Sequence, residues 1–235
     1  MFPLRRKDRL PRCGAVIVAA GSARRMNGID KIMAQVQGEP MIVHSVRAFQ
    51  ENPCIREIIV VTREALLQPI SRLCCERGFD KVTAVVLGGA DRVASVEKGV
   101  YALSPKTALI AVHDGARPFV TQKIITDTVK MAAQTGAAAP ALPVKDTIKV
   151  AENGIVKQTP ARERLFAVQT PQIFDADLLK GALTNAREKC LPITDDCSAV
   201  EAMGMTVSLT EGAECNLKVT TPMDLVLLNA WREEP

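Results

Sequence analysis

Ala15-Val16-Ile17-Val18-Ala19-Ala20-Gly21-Ser22-Ala23-Arg24-Arg25-Met26 joins an unbroken apolar run to a basic loop containing one glycine. A short continuous apolar run bounded by turn residues is the pattern of a strand buried on both faces, as in a parallel sheet. The loop after it matches neither G-x-G-x-x-G nor G-x-x-x-x-G-K-[ST]. The dinucleotide fingerprint and the Walker A loop are therefore both excluded, and a dinucleotide oxidoreductase is disfavoured with them. Gly21 and its small neighbours still permit close backbone approach, and Arg24, Arg25 and Lys31 supply three cations. Backbone N–H groups beside fixed cations suit a triphosphate; an ordinary strand-to-helix loop with solvated arginines fits the same residues.

Outward from this stretch, apolar runs alternate with segments of helical period, which predicts parallel βαβ construction. Further strands are expected at 57–62, 82–87, 108–112 and 137–144, with helices over about 64–77 and 92–103. Pro40 is expected to open a helix at its first position, with Ile42, Val43, Val46 and Phe49 on one apolar stripe. Thr121 reads as an N-cap ahead of the inward-facing Ile124, Ile125, Thr128 and Val129. Thr221-Pro222-Met223-Asp224 combines a cap, a proline at N1 and an acidic N3 residue, and predicts the last helix. The alternation breaks at Thr147–Thr159, where two β-rich arms flank Asn153-Gly154. Asn-Gly is a strong hairpin signal, because a type I′ turn needs positive φ at both central residues. The arms are polar and thin, so the segment at about 145–164 is expected to project. A lone hairpin is marginal in water, so it should pack on a second copy, making a homodimer. Residues 1–12 read as a basic tail and 13–235 as one domain.

Composition narrows the class. The chain has 235 residues, 47% of them hydrophobic, enough for one large core. No run of 18 apolar residues occurs, which argues against a membrane helix, and the basic start lacks the apolar region of a secretory signal. A cytoplasmic location is the expectation. The net charge is +4, and the tail alone accounts for it, with Arg5, Arg6, Lys7, Arg9 and Arg12 against Asp8. With aromatics at 3%, the balanced remainder lacks the stacking residues of single-strand binders, so no nucleic-acid partner is expected. Seven cysteines without a C-x-x-C pair point to reduced, mostly buried thiols.

Ligands of open α/β sheets bind beyond the carboxyl ends of the strands, so the strand ends carry the candidates. His113-Asp114-Gly115-Ala116-Arg117-Pro118 sets a carboxylate and a guanidinium three residues apart. That pair suits a metal-bound phosphate, with Asp114 toward Mg²⁺ and Arg117 toward oxyanions; a local ion pair bracing the loop is the bland alternative. His113 reads as a hydrogen-bonded structural histidine and His44 as a surface residue. Gly88-Gly89 leads to Arg92 and Ser95 at a helix N-terminus, whose orphan N–H groups favour a base carbonyl or an anion. Asn216-Leu217-Lys218-Val219-Thr220, Thr170-Pro171-Gln172 and Thr194-Asp195-Asp196 each read as loops or caps when taken alone.

In order, however, these motifs resemble the 2-C-methyl-D-erythritol 4-phosphate cytidylyltransferases of the non-mevalonate isoprenoid pathway, over about residues 14–230. The resemblance implies a Rossmann-like nucleotidyltransferase fold with a mostly parallel sheet, a homodimer locked by the arm, Mg²⁺ dependence, and transfer of CMP from CTP to a polyol phosphate with release of pyrophosphate. It implies CTP contacts at Ala19, Ala20, Gly21, Gly89, Ser95, Asp114 and Gly115. Arg25 and Lys31 would hold the phosphates and stabilise the transition state. Lys218 and Arg162 would position the attacking sugar phosphate, with Arg162 and Thr147 arriving from the neighbouring subunit's arm. Asp114, Arg117, Thr170, Thr194 and Thr220 would complete the acceptor side. The chain departs from the family at Asp30, which stands where proline usually precedes the loop lysine, and at Ala23 and Ala90. An acidic neighbour at Asp30 is expected to affect Lys31. Two other readings stay open: a ribitol-5-phosphate cytidylyltransferase, and a decayed protein that binds the nucleotide without turnover.

Overall fold

The computed structural model describes residues 10–21 and 30–231. Arg24, Arg25 and most of the basic tail lie outside the described residues. In chain order the strands are β1 (Cys13–Ala19), β2 (Gln35–Val36), β3 (Glu39–Pro40), β4 (Ile55–Thr62), β5 (Val82–Leu87), β6 (Leu109–Asp114), β7 (Ala137–Pro143), β8 (Val150–Glu152), β9 (Ile155–Gln158), β10 (Phe166–Val168), β11 (Gln172–Asp175) and β12 (Ser208–Glu211). The helices are α1 (Met41–Glu51), α2 (Glu64–Glu76), α3 (Arg92–Ala102), α4 (Gln122–Thr135), α5 (Ala176–Glu188), α6 (Asp196–Glu201) and α7 (Pro222–Ala230).

The main sheet runs β10-β7-β11-β6-β1-β4-β5, with β12 added to β7. β1 pairs in parallel with both β4 and β6, and β4 in parallel with β5. β11 is antiparallel to its neighbours β6 and β7, as β10 is to β7. Alternate residues of β1 serve opposite faces. Ala15 and Ile17 join a core with α1, α2 and α4, while Val16 joins a second core under α3, α5 and α6. Burial on both faces is why this strand is apolar at every position.

The caps follow the sequence. Thr121 accepts from the Ile124 amide, and Thr221 and Asp224 form a full capping box with Pro222 in the first turn. Asn153 and Gly154 take φ of 50° and 76°, as a type I′ turn requires, and β8 and β9 form a separate two-stranded sheet, exposed throughout. Two expectations need correction. Pro40 is the N-cap of α1 rather than its first residue, because it also pairs with Gln35 in the β2–β3 ribbon. His44 is half-buried rather than a surface residue: its Nε2 lies 2.8 Å from the Val36 carbonyl, and its ring meets Phe119 edge-on. The seven cysteines form no disulfide, and fewer are buried than expected: Cys13, Cys74 and Cys197 are buried, Cys54 and Cys215 half-buried, and Cys75 and Cys190 exposed. Among the described residues no helix is long and apolar enough to cross a membrane.

Candidate active site

The parallel strands β1, β5 and β6 end at one edge, and small residues let their loops meet. A Cβ on Gly88 would stand 2.6 Å from that of Ala20 and 2.9 Å from Ser95 Oγ. A Cβ on Gly115 would meet that of Ala19 at 3.2 Å, and the Gly115 amide donates to the Val18 carbonyl at 2.9 Å. Gly89 leaves no room for a side chain either, since Ala94 Cβ lies 2.3 Å from where its own would be. The Ser95 hydroxyl is spent within this loop. It accepts from the Gly89 amide at 3.0 Å and donates to the Asp91 carbonyl at 2.7 Å, so it shapes the Gly89 backbone.

Asp114, the last residue of β6, is 8% exposed and sits among cations. Lys218 Nζ is 2.7 Å from its Oδ2, Arg117 Nε is 3.9 Å from the same oxygen, and Arg92 Nη2 is 3.8 Å from Oδ1. Burial alone raises a carboxyl pKa; here Lys218, then Arg92 and Arg117, outweigh it and hold Asp114 below the usual carboxylate range. Burial pushes the Arg117 guanidinium down, against the opposing pull of Asp114. Its Nη1 donates to the Asn216 carbonyl at 2.6 Å, while its buried Nε has no hydrogen-bond partner among the described residues. A buried cationic donor left unsatisfied beside a strand end fits an anionic ligand.

The 216–220 loop is fastened to this corner by its backbone. The Val219 amide donates to Ala116 at 2.8 Å, and Asn216 Nδ2 donates to Gln169 Oε1 and the Thr170 carbonyl. Lys31 Nζ reaches the Val219 carbonyl at 3.4 Å, so two lysines far apart in sequence share one loop. Asp30 forms an ion pair with Arg63 and accepts from the Ile32 amide at 3.1 Å, which gives its charge a partner other than Lys31.

His113 behaves as a structural residue. Its Nδ1 lies 3.0 Å from Thr170 Oγ1, its Nε2 3.1 Å from the Arg117 carbonyl, and Phe49 covers its ring. Burial pushes its pKa down to about 4. Thr170 is buried, and its hydroxyl also accepts from the Asp114 amide at 3.1 Å. Thr170 thus orients the residues of the site from behind. Thr220 directs its amide and hydroxyl to Asp224 Oδ2, at 2.7 and 3.0 Å. Thr194 is exposed at the mouth of a loop pinned by Gln172, whose Oε1 accepts from the Asp196 and Cys197 amides at 2.9 and 3.1 Å.

Thr147 and Arg162 lie on the projecting arm, apart from this cluster. Both are exposed, and Arg162 Nη1 donates to the Lys145 carbonyl at 3.0 Å, closing the arm's own root. The sequence reading named Arg92 only at a helix start and Asp196 only in a loop, and gave neither side chain a role. In the structure Arg92 spans Asp196 at 2.6 Å and Asp114, and Asp196 is almost fully buried. A buried ion pair between distant segments leaves no local pattern. Only an acidic residue improbable at a core position hints at it.

A metal brought by a nucleotide fits the donor set. Mg²⁺ commonly takes one or two protein carboxylates together with phosphate oxygens, and Asp114 is such a carboxylate. Among the described residues no group of three His, Cys, Asp or Glu side chains would hold a metal unaided.

The family model for 2-C-methyl-D-erythritol 4-phosphate cytidylyltransferase (IspD) matches residues 13–234. The chain belongs to that family. It is 43% identical over 222 residues to the 2-C-methyl-D-erythritol 4-phosphate cytidylyltransferase of Desulforamulus reducens, covering 92% of this chain and 94% of the relative. The enzyme of the same description from Caldanaerobacter subterraneus subsp. tengcongensis is 43% identical over 216 residues, 91% and 95% of the two chains. Among solved structures, the 4-diphosphocytidyl-2C-methyl-D-erythritol synthase of Anaerococcus prevotii superposes with a TM-score of 0.85 at 28% identity, over 94% of this chain and 95% of that one. The Thermus thermophilus cytidylyltransferase gives 0.76 at 34% identity, over 92% and 96%. Family membership places the chain among the cytidylyltransferases, which are nucleotidyltransferases.

Proposed function

We propose that the protein transfers CMP from CTP to 2-C-methyl-D-erythritol 4-phosphate and releases pyrophosphate, a step in isoprenoid precursor synthesis. The observation that carries this reading is the gathering of Lys31, Lys218, Arg117 and the ionised Asp114 at the ends of β1 and β6, in a chain of this family.

The attacking group is a phosphate oxyanion, so no strong base is needed. Two polyanions must be brought into line, and the charge that develops as pyrophosphate leaves must be dispersed. Backbone groups of Ala19, Ala20, Gly21 and Gly115 meet the nucleotide, and the Gly89 backbone, shaped by Ser95, reads the base. Lys31, and Arg25 by the family resemblance, hold the departing phosphates. Asp114 is the carboxylate that would hold a Mg²⁺ at the phosphates, and the ion would supply charge neutralisation there. Lys218 and Arg117 draw the acceptor phosphate toward the α-phosphorus. Thr194 and Thr220 border the acceptor, and Thr170 orients Asp114 from beneath. The exposed arm packs on a second copy and lends Thr147 and Arg162 to its site, giving a cytoplasmic homodimer. Arg162 lies with Lys145 in the single chain, and docking in the dimer redirects it.

Relatives described as acting on methylerythritol phosphate favour that acceptor over ribitol 5-phosphate, and the intact cations favour turnover over a decayed site. Incubation with CTP, Mg²⁺ and a panel of polyol phosphates, followed by pyrophosphate release, tests the reading. Faster release with ribitol 5-phosphate would reassign the acceptor, and none with any acceptor would refute the transfer.

A further inference from the structure

Arg92 is the first residue of α3, just after the Gly88-Gly89 loop, and its guanidinium meets carboxylates of two other elements, α6 and β6. Nη2 is 2.6 Å from Asp196 Oδ2 and 3.8 Å from Asp114 Oδ1. Asp196 is 1% exposed, and among the described residues Arg92 is the one cation within ion-pair distance of it. Asp196 heads α6, and the turn before it carries Thr194. Gln172 clamps that turn to β11, with Nε2 on Asp195 Oδ2 at 2.7 Å and Oε1 on the Asp196 and Cys197 amides. The turn therefore has two fastenings, one on the sheet and one on a side chain that also faces the carboxylate at the centre of the site.

We propose that Arg92 is a positioning residue for the transfer, tying the wall that receives the sugar phosphate to the Asp114 corner; this rests on the function proposed above. A brace between two loops alone would need no third contact. Arg92 instead adds a further positive charge on the Oδ1 side of Asp114, opposite the Lys218 contact on Oδ2. Its loss frees the Thr194 turn from the site and leaves Asp114 with less to hold its orientation. Acceptor binding and alignment should suffer more than CTP binding, because the fastened turn belongs to the acceptor side.

Removing Arg92 alone strands a buried carboxylate, which destabilises the fold whatever the functional role. The informative variant is the double substitution Arg92→Gln with Asp196→Asn, which removes both charges and leaves no buried ion unpaired. It should melt close to the wild type, yet lose roughly ten- to a hundredfold in kcat/KM for the sugar phosphate. The loss should divide between a raised acceptor KM and a lowered kcat, with the CTP dissociation constant from calorimetry little changed. Both close contacts run through a single nitrogen, so Arg92→Lys should recover most of the activity. A folded double variant with wild-type kcat and acceptor KM overturns the proposal, as does a defect confined to CTP binding. If the double variant and Arg92→Lys both fail to fold, the link is a structural brace and the proposal also fails. A wild-type protein inert toward the sugar phosphate refutes the functional reading and this proposal with it; an active wild type with indifferent variants refutes this one alone.

Discussion

The ends of β1 and β6 and the β8–β9 hairpin belong to one chain but are held by opposite means. Every residue of β6 is buried, and its last one, Asp114, is surrounded by Lys218, Arg117 and Arg92. Every residue of β8 and β9 is exposed, and Ile155 and Val156 present 64% and 54% of their surface to solvent. The hairpin is anchored at its root, where the Val144 amide donates to the Leu165 carbonyl at 3.0 Å and Arg162 holds Lys145. The first region is organised by its own core and can arrange charges before any ligand arrives. The second has the geometry of a hairpin without a core beneath it, and a second copy supplies that core in the dimer proposed above.

The sharpest way to break this contrast is to remove a cation from the organised half. Lys31→Ala and Lys218→Ala should each lower kcat roughly 10²–10³-fold, since one well-placed donor contributes about 3–4 kcal/mol in the transition state. Arg25→Ala, at a position outside the described residues, is expected to do the same on the strength of the family resemblance. Circular dichroism and melting should stay near wild type. Near-normal turnover in a folded variant would remove that residue from the mechanism.

A second break uses pH, because only the organised half contains a fully buried histidine. The folded-state pKa of His113 is about 4, against 6.5 for an ordinary histidine. The unfolded chain therefore takes up the proton first on acidification. The stability tied to neutral His113 is complete above the ordinary value and is lost as pH falls toward the folded one. The total is on the order of 3 kcal/mol. Asp114, held below the usual carboxylate range, loses its contribution at lower pH still. Urea unfolding across this range should show the fall, and a flat profile would contradict the burial of His113.

The arm is tested by charging its apolar surface. Ile155→Asp with Val156→Asp should give a monomer in sedimentation experiments and raise the acceptor KM roughly ten- to a hundredfold, the cost of losing a charged hydrogen bond. CTP affinity should hold. A variant that stays dimeric with an unchanged KM would place the interface elsewhere. The smallest effect is expected at Gly154, where φ is +76°. Gly154→Ala should cost about 1 kcal/mol in the hairpin through left-handed strain. Amide exchange in β8 and β9 should speed up while the global melting temperature stays put.

Much of this was legible from residue order. The two-faced burial of β1, the caps at Thr121 and Thr221, and the Asn153-Gly154 turn all follow from local preference and are found as read. Pro40 was displaced by one position because pairing with Gln35 competes with its place in the first helical turn. His44 turned inward because the β2–β3 ribbon supplies a carbonyl that no helical periodicity could disclose. Thr170 read as a loop residue and, through the resemblance, as an acceptor contact. Its neighbours His113 and Asp114 arrive from another strand and claim its hydroxyl.

The sequence alone determined the alternation of strands and helices, the hairpin, and the motifs that identify the family, because each depends on residues within a few positions of one another. Only the tertiary structure decided that Lys31 and Lys218 share the Val219 loop and that Asp30 is matched by Arg63. The same holds for Arg92 spanning Asp196 and Asp114. Attraction between charges depends on distance in space, and the crossing of parallel strands sets those distances independently of the number of residues between them.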